Sequence, residues 1–326
     1  MNVTSHDVAQ LAGVNQSTVS RALRGAPGIS ADTRRRVLEA AESLSYVPSD
    51  AGRALSTRRT GSIGILSGEL TNPFYPELVE PIRESLLAAG YRPVLIPDSP
   101  DEPFDPDRWA RGVFDGMILA TAREGSHVAA GLRRHRIPFV FVNRAISGVE
   151  ADRCVSDNLA GAESAARLLA ELGHTQIAAI MGPNDTSTGE ERDTGFREGL
   201  RRAGIGMPDD HVERGEFTFD VGYSAATRLV SRVSPTAIFC ANDVLAFGAT
   251  DALLESGASH KTMLVGYDDI SSAKWRVYNL TTVHSDISRM ARTAVELLLS
   301  RLAEPHLPYR TVTLDTSIVR RRLLRP

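Results

Sequence analysis

The sequence predicts an all-α helix-turn-helix head joined to a larger α/β domain of two lobes. Two observations predict the head. In the first sixty residues short amphipathic segments each follow a capping residue, and the first two segments meet at a glycine. A third predicts the body: across residues 61–326, apolar runs of strand length alternate with amphipathic helical stretches, over more chain than one lobe needs.

The first helix opens at Thr4, a capping residue, with Asp7 three positions on near the positive helix end. Val8, Leu11 and Ala12 share one face at the spacing of a buried stripe. Gly13 permits the positive φ of a tight interhelical turn. Asn15 caps a second helix whose inner side is Val19, Ala22 and Leu23. Its outer side presents Gln16, Ser17, Ser20 and Arg21, which can donate and accept hydrogen bonds at base edges. The third helix is capped by Ser30, carries Asp32 in its first turn, and turns Val37, Leu38, Ala41 and Leu44 inward. Its Arg34, Arg35 and Arg36 suit phosphate contact. A small bundle with solvated arginines is the plain alternative. Pro48 ends this helix. The segment Ser49–Ser56 is capped but too short to persist alone, and Gly52 weakens it by about 1 kcal/mol relative to alanine. Such a segment orders against a partner, or it is an interdomain linker.

Charge separates the two parts. Residues 1–60 hold eight arginines against five acids, a net of +3, while the whole 326-residue chain is −3, so residues 61–326 carry −6. A basic head on an acidic body suits a DNA reader whose body avoids DNA. The hydrophobic fraction of 42% is that of a soluble globular protein. No apolar run reaches about 18 residues, so neither a transmembrane helix nor a membrane partner is expected. Met1–Asp7 has no basic head and no apolar signal core, which places the protein in the cytoplasm. Cys154 and Cys240 stand in no CxxC or Cys/His metal spacing. Neither disulfide, metal nor cofactor is expected.

In the body, Ser62–Leu66, Asp115–Ala120, Pro138–Val142, Gln176–Met181, Thr236–Cys240 and Met263–Gly266 read as strands. Phe74–Ala89 and the stretches 126–135, 158–172, 189–203, 220–232 and 242–256 read as helices. This alternation implies parallel sheets covered by helices, with ligands bound beyond the carboxyl ends of the strands, in a cleft between lobes. No GxGxxG follows the first strand, and there is no P-loop and no GxSxG elbow. A nucleotide-dependent oxidoreductase and a hydrolase are therefore disfavoured, and no catalytic residue is assigned. An exported solute-binding protein would share the body but would need a signal peptide and no head.

Asp7-Val8-Ala9, Ala12-Gly13-Val14, Ser17-Thr18-Val19-Ser20-Arg21 and the segment from Val47-Pro48 to Leu55 resemble the LacI/GalR family of bacterial transcription regulators. The resemblance continues through Asn72-Pro73-Phe74, Asp157-Asn158, Gly173-His174, Arg192 with Gly195-Phe196, Asn242-Asp243, Gly266-Tyr267-Asp268-Asp269 and Leu280-Thr281-Thr282. It implies a helix-turn-helix domain over 1–47 and a hinge over 48–60. It implies a periplasmic-binding-protein-like (type I) effector and dimerisation domain over 61–326. The first lobe then takes about 61–156 and 286–314, and the second about 157–285 and 315–326. The stretch Pro97–Gly112 is short for the family and rich in proline and acid, which implies a truncated second helix in the first lobe. The hinge departs from the pattern at Ser49, where asparagine is usual, and at Gly52, where alanine is common; both imply a looser hinge in the free protein. The tail Arg321–Pro326 has no heptad, so no coiled-coil tetramer is expected.

The implied function is that of a repressor, a homodimer on a near-palindromic double-stranded operator. Thr4, Gln16, Ser17, Thr18, Ser20, Arg21, Arg53 and Leu55 would meet DNA, Leu55 as an apolar wedge in the minor groove. The implied partner in the cleft is a small-molecule effector, a sugar or sugar derivative first. A purine, a phosphorylated metabolite or a protein coregulator is the alternative. Arg192 matches the family's cleft arginine and Asp268 its effector-binding aspartate, whose carboxylate can accept two hydroxyl hydrogen bonds. A surface arginine and a turn residue are the alternatives. Asn242 is a further candidate, although it equally suits a helix cap. Phe74 and Phe217, like Tyr75, can stack on a ring or fill the core. Arg144, with Asn143, follows the 138–142 strand and completes the set.

Overall fold

The computed structural model describes residues 3–46, 59–68, 70–98, 104–109 and 113–321. The chain divides into two compact units, residues 1–60 and 61–326.

In the first unit, α1 (Ser5–Ala12), α2 (Gln16–Leu23) and α3 (Ala31–Ser43) pack around the fully buried Val8, Val19 and Val37. At the start of α1 the Asp7 carboxylate accepts from the Thr4 backbone N–H and from the Thr4 hydroxyl, both at 2.8 Å. These bonds hold the Asp7 carboxyl below its ordinary range. Gly13 ends α1 at φ +64°. The Ser30 hydroxyl accepts from the Thr33 N–H at 3.2 Å and so caps α3. Asn15 stands at the cap of α2, but its side chain makes no capping bond. Leu11 and Leu38, expected inward, are 58% and 49% exposed. Ala9 and Ala40 are buried instead. Short helices that cross over alanines approach closely, and the larger leucines are rotated off so narrow a seam.

The second unit contains two six-stranded sheets. The first takes β1 (Ser62–Ser67), β2 (Arg92–Pro97), β3 (Gly116–Leu119), β4 (Phe139–Val142), β5 (Asp152–Ser156) and β11 (Thr311–Leu314). They lie in the order β11-β5-β4-β3-β1-β2, all parallel. The second takes β6 (Ile177–Met181), β7 (Val212–Arg214), β8 (Ala237–Cys240), β9 (Met263–Asp268), β10 (Thr281–Ser285) and β12 (Thr316–Val319). Their order is β12-β10-β9-β8-β6-β7, and β12 alone runs antiparallel to its neighbour. The central strands β1, β3, β4, β6 and β8 are buried along their whole length, as continuous apolar runs in parallel sheets require.

The chain passes between the sheets after β5, after β10 and between β11 and β12, at Asp157, Asp286 and Asp315. The first two of these aspartates cap the helices that follow, α7 (Asn158–Glu171) and α11 (Ile287–Ala303), with α4 (Phe74–Ala88), α5 (Pro106–Trp109) and α6 (Val128–Arg134) preceding them. The remaining helices are α8 (Ser187–Arg202), α9 (Phe219–Val233) and α10 (Asp243–Glu255). Helix α11 packs on α4 and on β3, β4 and β5, and a buried Arg301–Asp152 ion pair of 2.8 Å fastens it to β5. Among the described residues of Pro97–Gly112, only the four-residue α5 is helical. The strand pattern did not extend to β2, β5, β7, β10, β11 or β12. No described helix is long and apolar enough to cross a membrane.

Candidate functional site

In the head, Thr4, Gln16, Ser17 and Arg21 are exposed, while Thr18 and Ser20 are half-buried. Gln16 Nε2 donates to Ser5 Oγ at 2.8 Å and ties the start of α2 to α1. Arg21 Nη2 donates to the Pro27 carbonyl at 3.0 Å, which steadies the fork while leaving its other N–H groups for a partner. Arg34 donates to the Ala26 carbonyl, and Arg35 and Arg36 both pair with Asp32. Arg53, Leu55 and hinge residues 48–58 lie outside the described residues.

In the body, all six residues assigned to an effector from the sequence line one open cavity, about 250 Å³ with the solvent at its mouth included: Phe74, Arg144, Arg192, Phe217, Asn242 and Asp268. They come from both sheets and follow the carboxyl ends of their strands, where a doubly wound fold places its ligands. Asn72, Tyr75, Asn143 and Thr188 complete the wall. Arg192 enters from α8. Its Nη2 donates to Asp268 Oδ1 at 2.8 Å, its Nη1 to the Ala241 carbonyl at 2.6 Å and its Nε to Asn158 Oδ1 at 2.9 Å. Asn158 passes the network on, donating to Glu191 at 2.8 Å. The Arg192 guanidinium also lies 3.7 Å from the centroid of the Tyr267 ring.

Asp268 ends β9 at φ +104°, and Asn143 follows β4 at φ +67°. Two non-glycine residues held in this region mark a site where the surrounding structure imposes the backbone. Burial pushes the Asp268 carboxyl up, and Arg192 and then Arg144 pull it back. Asn242 caps α10 as well as lining the cavity: its Oδ1 accepts from the Leu245 N–H at 2.9 Å. Asn72 fixes the aromatic wall. Its Oδ1 accepts from the Phe74 N–H at 3.0 Å and its Nδ2 donates to the Phe217 carbonyl at 3.3 Å. Phe217 sits against Gly182, where a Cβ would fall 2.2 Å from the ring.

Thr188 and Asn72 are the wall residues the sequence did not single out as ligand candidates, although Asn72 stands in the motif Asn72-Pro73-Phe74; Thr188 lies on α8. Its helix was placed from 189, whereas Thr186 caps it by accepting from the Gly189 N–H at 3.1 Å. A larger hollow of about 400 Å³ lies against the start of β9 and β10, lined by Leu253, Met263, Tyr278 and Leu280 among others. It has no charged side chain in its lining, whereas the smaller cavity is lined by Arg144, Arg192 and Asp268. Cys154 and Cys240 are both buried, with burial pushing Cys154 up to about 11 and Cys240 upward as well.

The profile of bacterial regulatory proteins of the lacI family matches residues 4–49, and that of the periplasmic binding protein-like domain matches residues 166–322. The ribose operon repressor of Escherichia coli (strain K12) is 32% identical over 329 residues, covering 98% of each chain. The chain belongs to the LacI family. Solved structures of transcriptional regulators are similar to it over most of the chain. A lac repressor dimer bound to operator and the anti-inducer ONPF superposes with a TM-score of 0.85 at 26% identity, covering 98% of each chain. A complex of the transcriptional regulator CelR with cellobiose gives 0.75 at 30% identity, covering 98% of this chain and 99% of that one.

Proposed function

We propose that this chain is a cytoplasmic, non-enzymatic transcriptional repressor that binds a near-palindromic operator as a homodimer under the control of a carbohydrate effector. The observation that carries the reading is the cavity: residues delivered by both sheets surround a buried Arg192–Asp268 pair. The likeness to a ribose operon repressor and to a cellobiose-bound regulator supports a carbohydrate. In this reading the lobes are residues 61–156 with 286–314, and 157–285 with 315–326.

In the head, Gln16, Ser17 and Arg21 read base edges from the exposed face of α2, with Thr4, Thr18 and Ser20 beside them. Two heads related by a dimer axis match a two-fold operator. A ligand that touches both sheets favours one setting of the lobes over another, and only that difference in affinity alters DNA binding.

The test is a melting-temperature screen of the full chain against sugars, sugar phosphates, nucleosides and nucleobases. A ligand at a hundred times its Kd adds about 2.7 kcal/mol. The expected hit is a carbohydrate that changes binding to a DNA site selected by the protein itself and that loses its effect in Asp268→Ala. A purine hit would select the alternative effector. A shift that persists unchanged in Asp268→Ala would remove the cavity from the reading.

A further inference from the structure

The three long polar side chains between Gln16 and Arg24 are each held by a hydrogen bond to the head itself. Gln16 Nε2 donates to Ser5 Oγ at 2.8 Å, Arg21 Nη2 to the Pro27 carbonyl at 3.0 Å and Arg24 Nε to the Ser20 carbonyl at 3.0 Å. All three residues are exposed. A rotamer-rich side chain that is already held loses less freedom when it binds. Of these bonds, Ser5–Gln16 is the one that joins two helices, α1 and α2.

The fold has little need of that bond. The start of α1 is closed by Asp7, whose carboxylate accepts from the Thr4 N–H and hydroxyl, and the helices pack on the buried Val8, Val19 and Val37. Gln16 is exposed and Ser5 half-buried, so water competes for the bond and its net contribution to stability is small. Its effect falls on the amide. A primary amide has one acceptor oxygen and two N–H donors. With one N–H given to Ser5, Gln16 keeps the oxygen and one N–H. That set matches adenine in the major groove, where N6 donates and N7 accepts. Guanine offers N7 and O6, both acceptors, and would call on both N–H groups, which takes Nε2 away from Ser5. Arg21 has donors alone and suits guanine instead.

We infer that Ser5 is a positioning residue: by holding Nε2 it leaves Gln16 an acceptor and a donor for DNA, and so sets adenine as the base that Gln16 reads in each half-site. This rests on α2 as the base-reading helix, as proposed above. Ser5 acts through Gln16 and needs no contact with DNA of its own.

The experiment uses the full chain. A duplex site is selected from a random pool, and competition binding then measures each base substitution along the half-site for the natural chain, Gln16→Ala, Ser5→Ala and Ser5→Thr. One adenine per half-site is expected at which guanine weakens the natural chain by at least about fivefold and at which Gln16→Ala makes no distinction. An adenine analogue lacking N7 and one lacking the N6 amine should each weaken binding at that position. Ser5→Ala should reduce the preference for adenine over guanine to about twofold or less, with its melting temperature and its binding to random DNA unchanged. Ser5→Thr, which keeps the hydroxyl, should retain the preference. A selected site at which Gln16→Ala changes no base preference, or at which Gln16 favours guanine, overturns the inference and leaves a base-reading α2 standing. An unchanged base profile in Ser5→Ala makes the bond a tie between helices and also overturns it. So does a Ser5→Ala chain that melts earlier and binds every sequence more weakly to the same degree. Failure to select any sequence overturns both this inference and the reading beneath it.

Discussion

Arg192 and Asp268, 76 residues apart in the chain, meet at 2.8 Å with 4% and 7% of their side chains exposed. The same guanidinium binds the Ala241 carbonyl and Asn158, so one side chain ties together the loop after β8, the end of β9 and the start of α7. Arg192→Met leaves a carboxylate buried without its partner, and urea unfolding should show a loss of about 3–5 kcal/mol. Adding Asp268→Asn in that background should recover part of the loss. Strictly additive losses would mean that the two residues are not coupled.

Asp243 governs the turn that carries Asp268. It is fully buried, accepts from the Ile270 N–H at 3.0 Å, and accepts from the Thr282 hydroxyl at 2.6 Å. Burial, then the neighbouring Asp268, push its carboxyl well above the ordinary 3.8. The folded chain therefore holds this proton more tightly than the unfolded chain does. Its stabilising effect is full at acid pH and is lost as pH rises from 3.8 through the folded value. Asp243→Asn keeps an oxygen for Ile270 and abolishes the titration. The melting temperature of the variant relative to the natural chain should climb between about pH 4 and 7. A constant difference would show that Asp243 titrates normally.

What the sequence revealed follows from what is local. Asp268 was legible because the apolar run Met263–Gly266 delivers it to the carboxyl end of a strand. Its pairing with Arg192 was not, because pairing is settled only when distant segments meet. Strand β2 was hidden by Pro93 and Pro97, which are tolerated because β2 is an edge strand. Helix α11 has a regular inward stripe, Ile287, Met290, Ala291, Ala294 and Leu298, yet its place beneath the first sheet depends on a chain passage that no periodicity encodes. The exposure of Leu11 and Leu38 shows the same limit in the head: spacing names a face, and the width of the seam decides which residues fill it.

Helices α9 and α10 meet through reciprocal glycines. A Cβ on Gly222 would fall 2.1 Å from the Leu245 carbonyl oxygen, and one on Gly248 would fall 2.0 Å from that of Phe219. Backbone cannot yield as a flexible side chain can, so Gly248→Ala must part the helices. Chemical denaturation should show a loss of about 1–3 kcal/mol, the range typical of overpacking. Non-specific DNA binding should be unchanged, since the head is a separate compact unit. A stable Gly248→Ala would mean that the pair has slack.

In the proposed reading, Arg21 sets operator choice. It is exposed on α2 and steadied by the Pro27 carbonyl at 3.0 Å. Arg21→Ala should relax preference at one position of each half-site, at a cost of about 1–3 kcal/mol for the preferred base. Binding to a library randomised across the half-site measures this. A uniform weakening over all sequences, with a shallower salt dependence, would instead make Arg21 a phosphate contact.

Arg123 joins loops that follow strands of both sheets. It leaves the loop after β3 and pairs with Asp185 at 2.9 Å and Glu216 at 2.6 Å, in the loops after β6 and β7, while the Glu124 N–H donates to the Asp185 carbonyl at 2.8 Å. Glu216 directly precedes the cavity residue Phe217. With its side chain 32% exposed, Arg123 sits where an ion pair adds at most about 1 kcal/mol to stability. Arg123→Ala should therefore lower the melting temperature by no more than about 2–4 °C. Its larger effect should fall on ligand binding, because the pairs reward the setting in which the two sheets' loops lie together. Loss of that reward should weaken the effector by about fivefold, the lower end of coupling between sites. Calorimetric affinity and melting temperature, measured on the same preparation, separate the two effects. A variant that melts far earlier but binds its effector unchanged would make Arg123 a structural clamp with no part in the response.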